Sequence, residues 1–120
     1  MGEGARATEI RLRKADKTLD VTFDNGRKFA FPAELLRVES PSAEVQGHGP
    51  GQKKTVAGRR HVNIMEIEPV GHYAIRLTFD DLHDTGIYSW SYLYELGAEM
   101  DGRWNAYIAA LEAEGLSRDP

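Results

Sequence analysis

The sequence predicts an α+β domain: a small antiparallel β-sheet of about five strands, with short helices and a C-terminal amphipathic helix packed on it. Three observations carry this. Apolar residues alternate with polar ones in several short runs. An Asn25-Gly26 pair separates two of those runs. Near the C-terminus the apolar spacing changes from two to that of a helix. The 120 residues suit a single domain, because a chain of this size hides roughly two-thirds of the surface of its unfolded form. The expected layout is a flexible tail over 1–7, one domain over 8–115 and a frayed tail over 116–120.

The elements follow in order. Ile10 and Leu12 share one face of a first strand over 8–13. Leu19, Val21 and Phe23 alternate before Asp24-Asn25-Gly26, and Phe29 and Phe31 alternate after it. Asn-Gly between such runs predicts a hairpin with a type I′ turn, whose two central residues both need positive φ. Pro32 ends that strand and suits the start of a short helix over 33–37, where its missing N–H would be unpaired anyway. Residues 46–60 carry Gly47, Gly49, Gly51, Gly58 and Pro50 with Lys53, Lys54, Arg59 and Arg60, and predict a mobile loop. Val62, Ile64 and Ile67 form a strand whose phase slips at Met65, the mark of a bulge. Tyr73, Ile75, Leu77 and Phe79 alternate cleanly. Residues 80–86 read as a polar turn, and 87–90 as a short extended piece. Ser89 or Ser91 caps a helix through Leu96. Trp104, Tyr107, Ile108 and Leu111 form one stripe of a helix over 99–115, closed by Gly115. No internal repeat is read from the sequence.

Composition excludes several classes. Lys plus Arg is 15 and Asp plus Glu is 19, a formal charge of −4, which argues against a nucleic-acid coat or a polybasic membrane binder. No apolar run is long enough to span a membrane. Met1–Ala7 has no apolar core of a secretory signal, so the cytoplasm is the expected compartment. There is no cysteine, which removes disulfides, thiolate catalysis, cysteine-bound zinc and a self-held iron–sulfur cluster.

Five groups of residues carry side chains with potential for chemistry. Asp80-Asp81-Leu82-His83-Asp84 places an imidazole among carboxylates, as a metal site or an oriented base would. A solvated turn with Asp side chains accepting local N–H groups uses the same residues. The histidines His48, His61, His72 and His83 show no i, i+4 pair, and His61 and His72 flank a hairpin across which they would face each other. Ser40-Pro41-Ser42-Ala43-Glu44 lacks the glycine-lined elbow of a serine nucleophile and reads as a turn or cap. The basic loop has no phosphate-loop spacing, and its cations offer at most a dock for an acidic partner. Tyr88 and Trp90 fall on one face and form a partner patch if the last helix leaves them uncovered.

Three segments together resemble the gamma-butyrobetaine hydroxylase-like N-terminal domain family, long treated as a domain of unknown function. They are Phe31-Pro32-Ala33-Glu34-Leu35-Leu36-Arg37 running into Ser40-Pro41-Ser42-Ala43-Glu44, Val70-Gly71-His72-Tyr73-Ala74, and Phe79-Asp80-Asp81-Leu82-His83-Asp84-Thr85-Gly86-Ile87-Tyr88-Ser89-Trp90. The similarity spans about Ile10 to Leu96, and the tail from Trp104 is similar to that of stand-alone bacterial members. The resemblance implies an accessory module. In the carnitine-pathway branch such a module is stabilised by zinc and precedes the catalytic domain. By position, its cysteines fall on Ser40, Ser42 and Val45 and its histidine on His83. Hydroxyls and a valine cannot replace thiolates, so the family zinc site is not expected here. The resemblance also implies glycine at Leu82. If that turn needs positive φ, Leu82 is strained. Other members of the family are fused to iron–sulfur carrier ATPases.

The resulting expectation is a non-catalytic accessory or adaptor domain for protein–protein interaction, with no cofactor. Its linkage would be to iron–sulfur carrier ATPases or 2-oxoglutarate oxygenases. Its partner would be a protein of iron–sulfur assembly or carriage, with neither nucleic acid nor membrane, and the chain a monomer or weak homodimer. The expected surface joins Arg37, Ser40, Ser42 and Glu44 with Asp81, His83, Tyr88 and Trp90, with Arg37 forking onto Glu44 or Asp81. The alternative is a divalent-metal or small-ligand site centred on His83 and Asp81, completed by Asp84 and by His48 or His72.

Overall fold

Alternation of apolar side chains builds strands in two groups. β1 (Ala7–Arg13), β2 (Thr18–Phe23) and β3 (Lys28–Pro32) form one three-stranded antiparallel sheet in the computed structural model, which describes residues 5–49 and 51–120. β4 (Ile64–Val70), β5 (Ala74–Phe79) and β6 (Gly86–Ser89) form the second. The α+β class holds, with its strands divided between two sheets. The break has a local cause. Pro32 closes β3, and α1 (Ala33–Val38) starts at once, carrying the chain off the sheet edge. Positions 1–4 of the expected tail and Pro50 of the expected loop lie outside the described residues.

The helices α2 (Ala43–Gln46), α3 (Trp90–Ala98) and α4 (Met100–Ala113) complete the fold. Ser42 caps α2 and Ser89 caps α3, each hydroxyl accepting a bond from a first-turn N–H. Phe23, Phe31, Leu77, Phe79, Tyr88 and Leu93 are fully buried in a core that both sheets share with α1 and α3. The predicted stripe of the last helix buries Tyr107 and Leu111 against Val38 in a second cluster.

Sequence reading found no repeat, yet the backbone has one. Three strands followed directly by a helix occur twice, as β1–β2–β3–α1 and β4–β5–β6–α3. Both first strands bulge at the same place. Ala7 pairs with Phe23 and Glu9 with Thr22; Ile64 pairs with Phe79 and Glu66 with Thr78. The slip read at Met65 is that second bulge. The Asn-Gly hairpin is present, but only Gly26 has positive φ, +86°. A bond from the Gly26 N–H to the Phe23 carbonyl (2.9 Å), and one from the Phe23 N–H to Arg27 (2.8 Å), make it a type I turn with a glycine bulge, not type I′. The second meander repeats this turn, from Leu82 to Phe79 (2.9 Å) and from Phe79 to His83 (3.0 Å).

Two segments are tied down more than their composition suggests. In the loop, Lys53 pairs with Glu39 (2.5 Å), Arg59 with Asp81 (2.6 Å) and Arg60 with Asp119 (2.5 Å). The Tyr107 hydroxyl donates to the Val56 carbonyl (2.6 Å). In the tail, Arg118 grips Glu34 with two bonds of 2.7 and 2.8 Å and stacks over Trp104. His61 and His72 do not face each other. His61 precedes β4, whose Ile64 pairs with Phe79, whereas His72 lies in the turn at the other end, where Val70 pairs with Ala74.

Candidate functional site

α1 ends at Val38, and the chain then turns through Ser40 to Ser42 into α2. The turn after β5 swings beneath this segment, and four pairs of side chains close between them. Arg37 Nε donates to Asp81 Oδ2 at 2.7 Å. Ser40 Oγ lies 2.9 Å from His83 Nε2. Ser42 Oγ meets Thr85 Oγ1 at 2.7 Å. Glu44 Oε2 is 3.2 Å from His83 Nδ1. Six of the eight residues singled out for the surface therefore converge: Arg37, Ser40, Ser42, Glu44, Asp81 and His83.

The other two do not join them on a surface. Tyr88 is wholly buried, and its hydroxyl donates to the Leu36 carbonyl at 2.5 Å. Trp90 sits at the opposite end of β6, with its indole N–H on the His72 carbonyl at 2.9 Å. Alternation failed to pair them because β6 ends at Ser89, where α3 begins and the period changes.

Three contributors were not singled out as site residues from the sequence. Arg59 brings a second guanidinium to Asp81 Oδ2. Thr85 closes on Ser42. Gly86 leaves space for Ser40, because a Cβ there would stand 2.6 Å from its hydroxyl oxygen. The repeated Thr-Phe-Asp of 22–24 and 78–80 marks two similar turns but none of these three contacts.

Asp81 is the hub. Its Oδ2 takes Arg37 and Arg59, and its Oδ1 accepts the His83 backbone N–H at 3.1 Å. Burial alone would push this carboxyl up. The Arg37 guanidinium, the His83 N–H and Arg59 outweigh burial and hold it below the usual carboxylate range. Arg37 is not the fork the sequence suggested: its Nη1 is buried without a partner. The His83 side chain is 2% exposed. Burial, with the nearby Arg37 charge, depresses its pKa against the opposing pull of Glu44 and Asp81. The shift favours the neutral imidazole, and since the Glu44 carboxylate can only accept, the tautomer that suits both neighbours carries its proton on Nδ1 and accepts from Ser40 at Nε2.

Ser40, His83 and Glu44 thus stand in the order nucleophile, base, carboxylate. The surroundings deny them that chemistry. Ser40 is fully buried, and its oxygen already accepts the Ser42 N–H at 3.2 Å. Gly86 and the Tyr88 ring pack close against the Ser40 hydroxyl: a Cβ built on Gly86 would stand 2.6 Å from that oxygen and 3.0 Å from the ring. A divalent metal fits no better. Both imidazole nitrogens are engaged, two cations neutralise Asp81, and Val45 at the third family position is buried and offers no donor. Among the described residues no group of three His, Cys, Asp or Glu side chains is placed to hold a metal.

What remains outward is the tip of the turn. Leu82 is 78% exposed and has φ +72°, the strained conformation its position predicted. Asp80 and Asp84 beside it are exposed, and the Glu44 side chain is 64% exposed. No helix among the described residues is long and apolar enough to cross a membrane.

Comparison with known proteins agrees with this architecture. The family described as gamma-butyrobetaine hydroxylase-like, N-terminal, matches residues 10–94. One protein solved by NMR is 46% identical over 96% of this chain and 90% of its own, with a TM-score of 0.83. A second NMR structure is 45% identical over 100% of this chain and 89% of its own, with a TM-score of 0.85. A crystal structure of a DUF971-family protein of unknown function from Acidithiobacillus ferrooxidans is 38% identical over 78% of this chain and 94% of its own, at a TM-score of 0.66. No curated protein matches the chain. The chain belongs to the gamma-butyrobetaine hydroxylase-like N-terminal domain family.

Proposed function

We propose that the chain is a non-catalytic adaptor that binds a partner protein through the turn after β5 and the α1–α2 segment clasped to it. One observation carries this reading. Arg37, Ser40, Ser42, Asp81 and His83 each already have an internal partner, while Leu82 is left in water at the tip, 78% exposed. A clasp of this kind holds a surface in shape. The partner classes that the family resemblance supplies are iron–sulfur carrier ATPases and 2-oxoglutarate oxygenases, and the compartment proposed with them is the cytoplasm.

The test is affinity purification of the tagged full chain at its native level, quantified against an untagged strain. One co-purifying protein in near-equal amount is the expected result, with reduced iron–sulfur enzyme activity in the deletion strain. No specific protein and unchanged activities would contradict the adaptor reading. NMR spectra during Zn(II) or Mn(II) addition should stay flat. Shifts confined to the neighbourhood of His83 at micromolar metal would revive the metal-site alternative.

A further inference from the structure

The repeated turn isolates one residue. At Gly26 and Leu82 the backbone is left-handed, with φ +86° and +72°. The surrounding bonds correspond one for one. Asn25 Oδ1 accepts the Arg27 N–H at 3.0 Å, and Asp81 Oδ1 accepts the His83 N–H at 3.1 Å. Asp24 exchanges bonds with the Arg6 backbone, and Asp80 does the same with Asn63. Glycine serves the first turn without strain. The second sets a β-carbon against the preferred handedness and leaves a leucine in water. Neither fact helps the fold. Strain kept where glycine would serve points to a use for the side chain.

We infer that Leu82 is the anchor of the docking surface, inserted on binding into an apolar pocket of the partner protein that is rimmed by lysine or arginine. This rests on the adaptor reading and names the partner's chemistry. The rim follows from charge. Asp80 and Asp84 lie within two residues of the leucine on either side, and Glu44 stands against His83, the next residue. Among the described residues none of the three forms a salt bridge with lysine or arginine; Arg76, close enough to feel the Asp84 charge, is bonded to Glu68. Asp81, the remaining carboxylate of the turn, is held by two guanidiniums, Arg37 and Arg59, so the carboxylates of Asp80, Asp81, Asp84 and Glu44 still outnumber the cations bound among them. The outward field at the tip is therefore negative, and it selects a cationic rim. Arg37 and Arg59 also hold the base of the turn, so the leucine is presented on a rigid support.

The test places a photo-crosslinking benzoylphenylalanine at position 82 and, as a matched left-handed control, at position 26, in the full chain inside cells. The expected result is one protein crosslinked from 82 and not from 26, through a peptide containing apolar residues and lysine or arginine. With that protein purified, Leu82→Gly should weaken binding on the order of 10- to 100-fold, as for loss of one buried leucine. Asp84→Lys should weaken it and flatten its salt dependence. The melting temperature of Leu82→Gly should match or exceed that of the natural chain. A partner bound equally by Leu82→Gly would overturn this inference and leave the adaptor reading standing. No partner from any position would sink both. An adduct only with another copy of the chain would replace the basic-rimmed partner with self-association. A melting point lowered by several degrees would make Leu82 part of the fold and overturn the inference.

Discussion

In the first meander the residue with left-handed backbone is Gly26; in the second it is Leu82. The same hydrogen bonds close both turns. What differs is the company the side chains keep. Asn25 donates only to the Tyr94 hydroxyl at 2.9 Å, on the surface. Its counterpart Asp81 gathers two arginines. Arg27 lies over the Phe29 and Tyr94 rings, whereas its counterpart His83 is sunk between Ser40 and Glu44. One turn simply reverses the chain. The other bolts the second sheet to the end of α1. A shared backbone with diverged side chains separates what the fold requires from what has been added.

Mutations can break or sharpen that contrast. The largest effect lies beneath both turns, where the halves should behave alike. Leu77→Ala should cost about 3 kcal/mol, and Val21→Ala at the corresponding position about 2 kcal/mol, read from urea midpoints. The turns themselves should separate. Asp81→Ala leaves Arg37 buried without its carboxylate and should cost about 3 kcal/mol. Asn25→Ala, which loses two exposed bonds, should cost about 0.5–1 kcal/mol. Equal losses would mean that the clasp adds nothing to a turn.

His83→Ala should cost about 1–3 kcal/mol, because it strips Ser40 of its buried acceptor. Acid probes the same residue. The folded pKa of His83 lies below its ordinary value of 6.5, so the unfolded chain binds the proton more readily. Stability due to His83 is complete above pH 6.5 and is lost as pH falls through the lower folded value. The depressed Asp81 carboxyl removes more below its ordinary 3.8. Unfolding midpoints between pH 8 and 4 should show the first loss in the natural chain and not in His83→Ala.

Much of this was legible in the sequence because it is local. Alternation marked the strands, the phase slip at Met65 marked a bulge, and apolar spacing marked the last helix. Arg37, Ser40 and His83 were selected through the resemblance, and the fold brought them together. The rest depends on distant residues. Arg59 reaches Asp81 across 22 positions, which no local pattern encodes. The type I′ expectation failed because Asn-Gly also satisfies a type I turn with a glycine bulge, and sequence does not separate the two. The repeat stayed hidden because only Thr-Phe-Asp is kept in both halves, while the pairing it organises is carried by backbone groups.

The smallest predicted effect is also the most direct test. Urea unfolding of Leu82→Gly, beside the reciprocal Gly26→Leu, asks whether the leucine serves the fold. Gly26→Leu should lose about 1–2 kcal/mol to the left-handed backbone. Leu82→Gly should lose nothing and gain up to about 1 kcal/mol, strain relief being partly offset by the freer unfolded chain. A clear loss of stability in Leu82→Gly would show that the exposed leucine holds the structure together, contrary to the role given to it here.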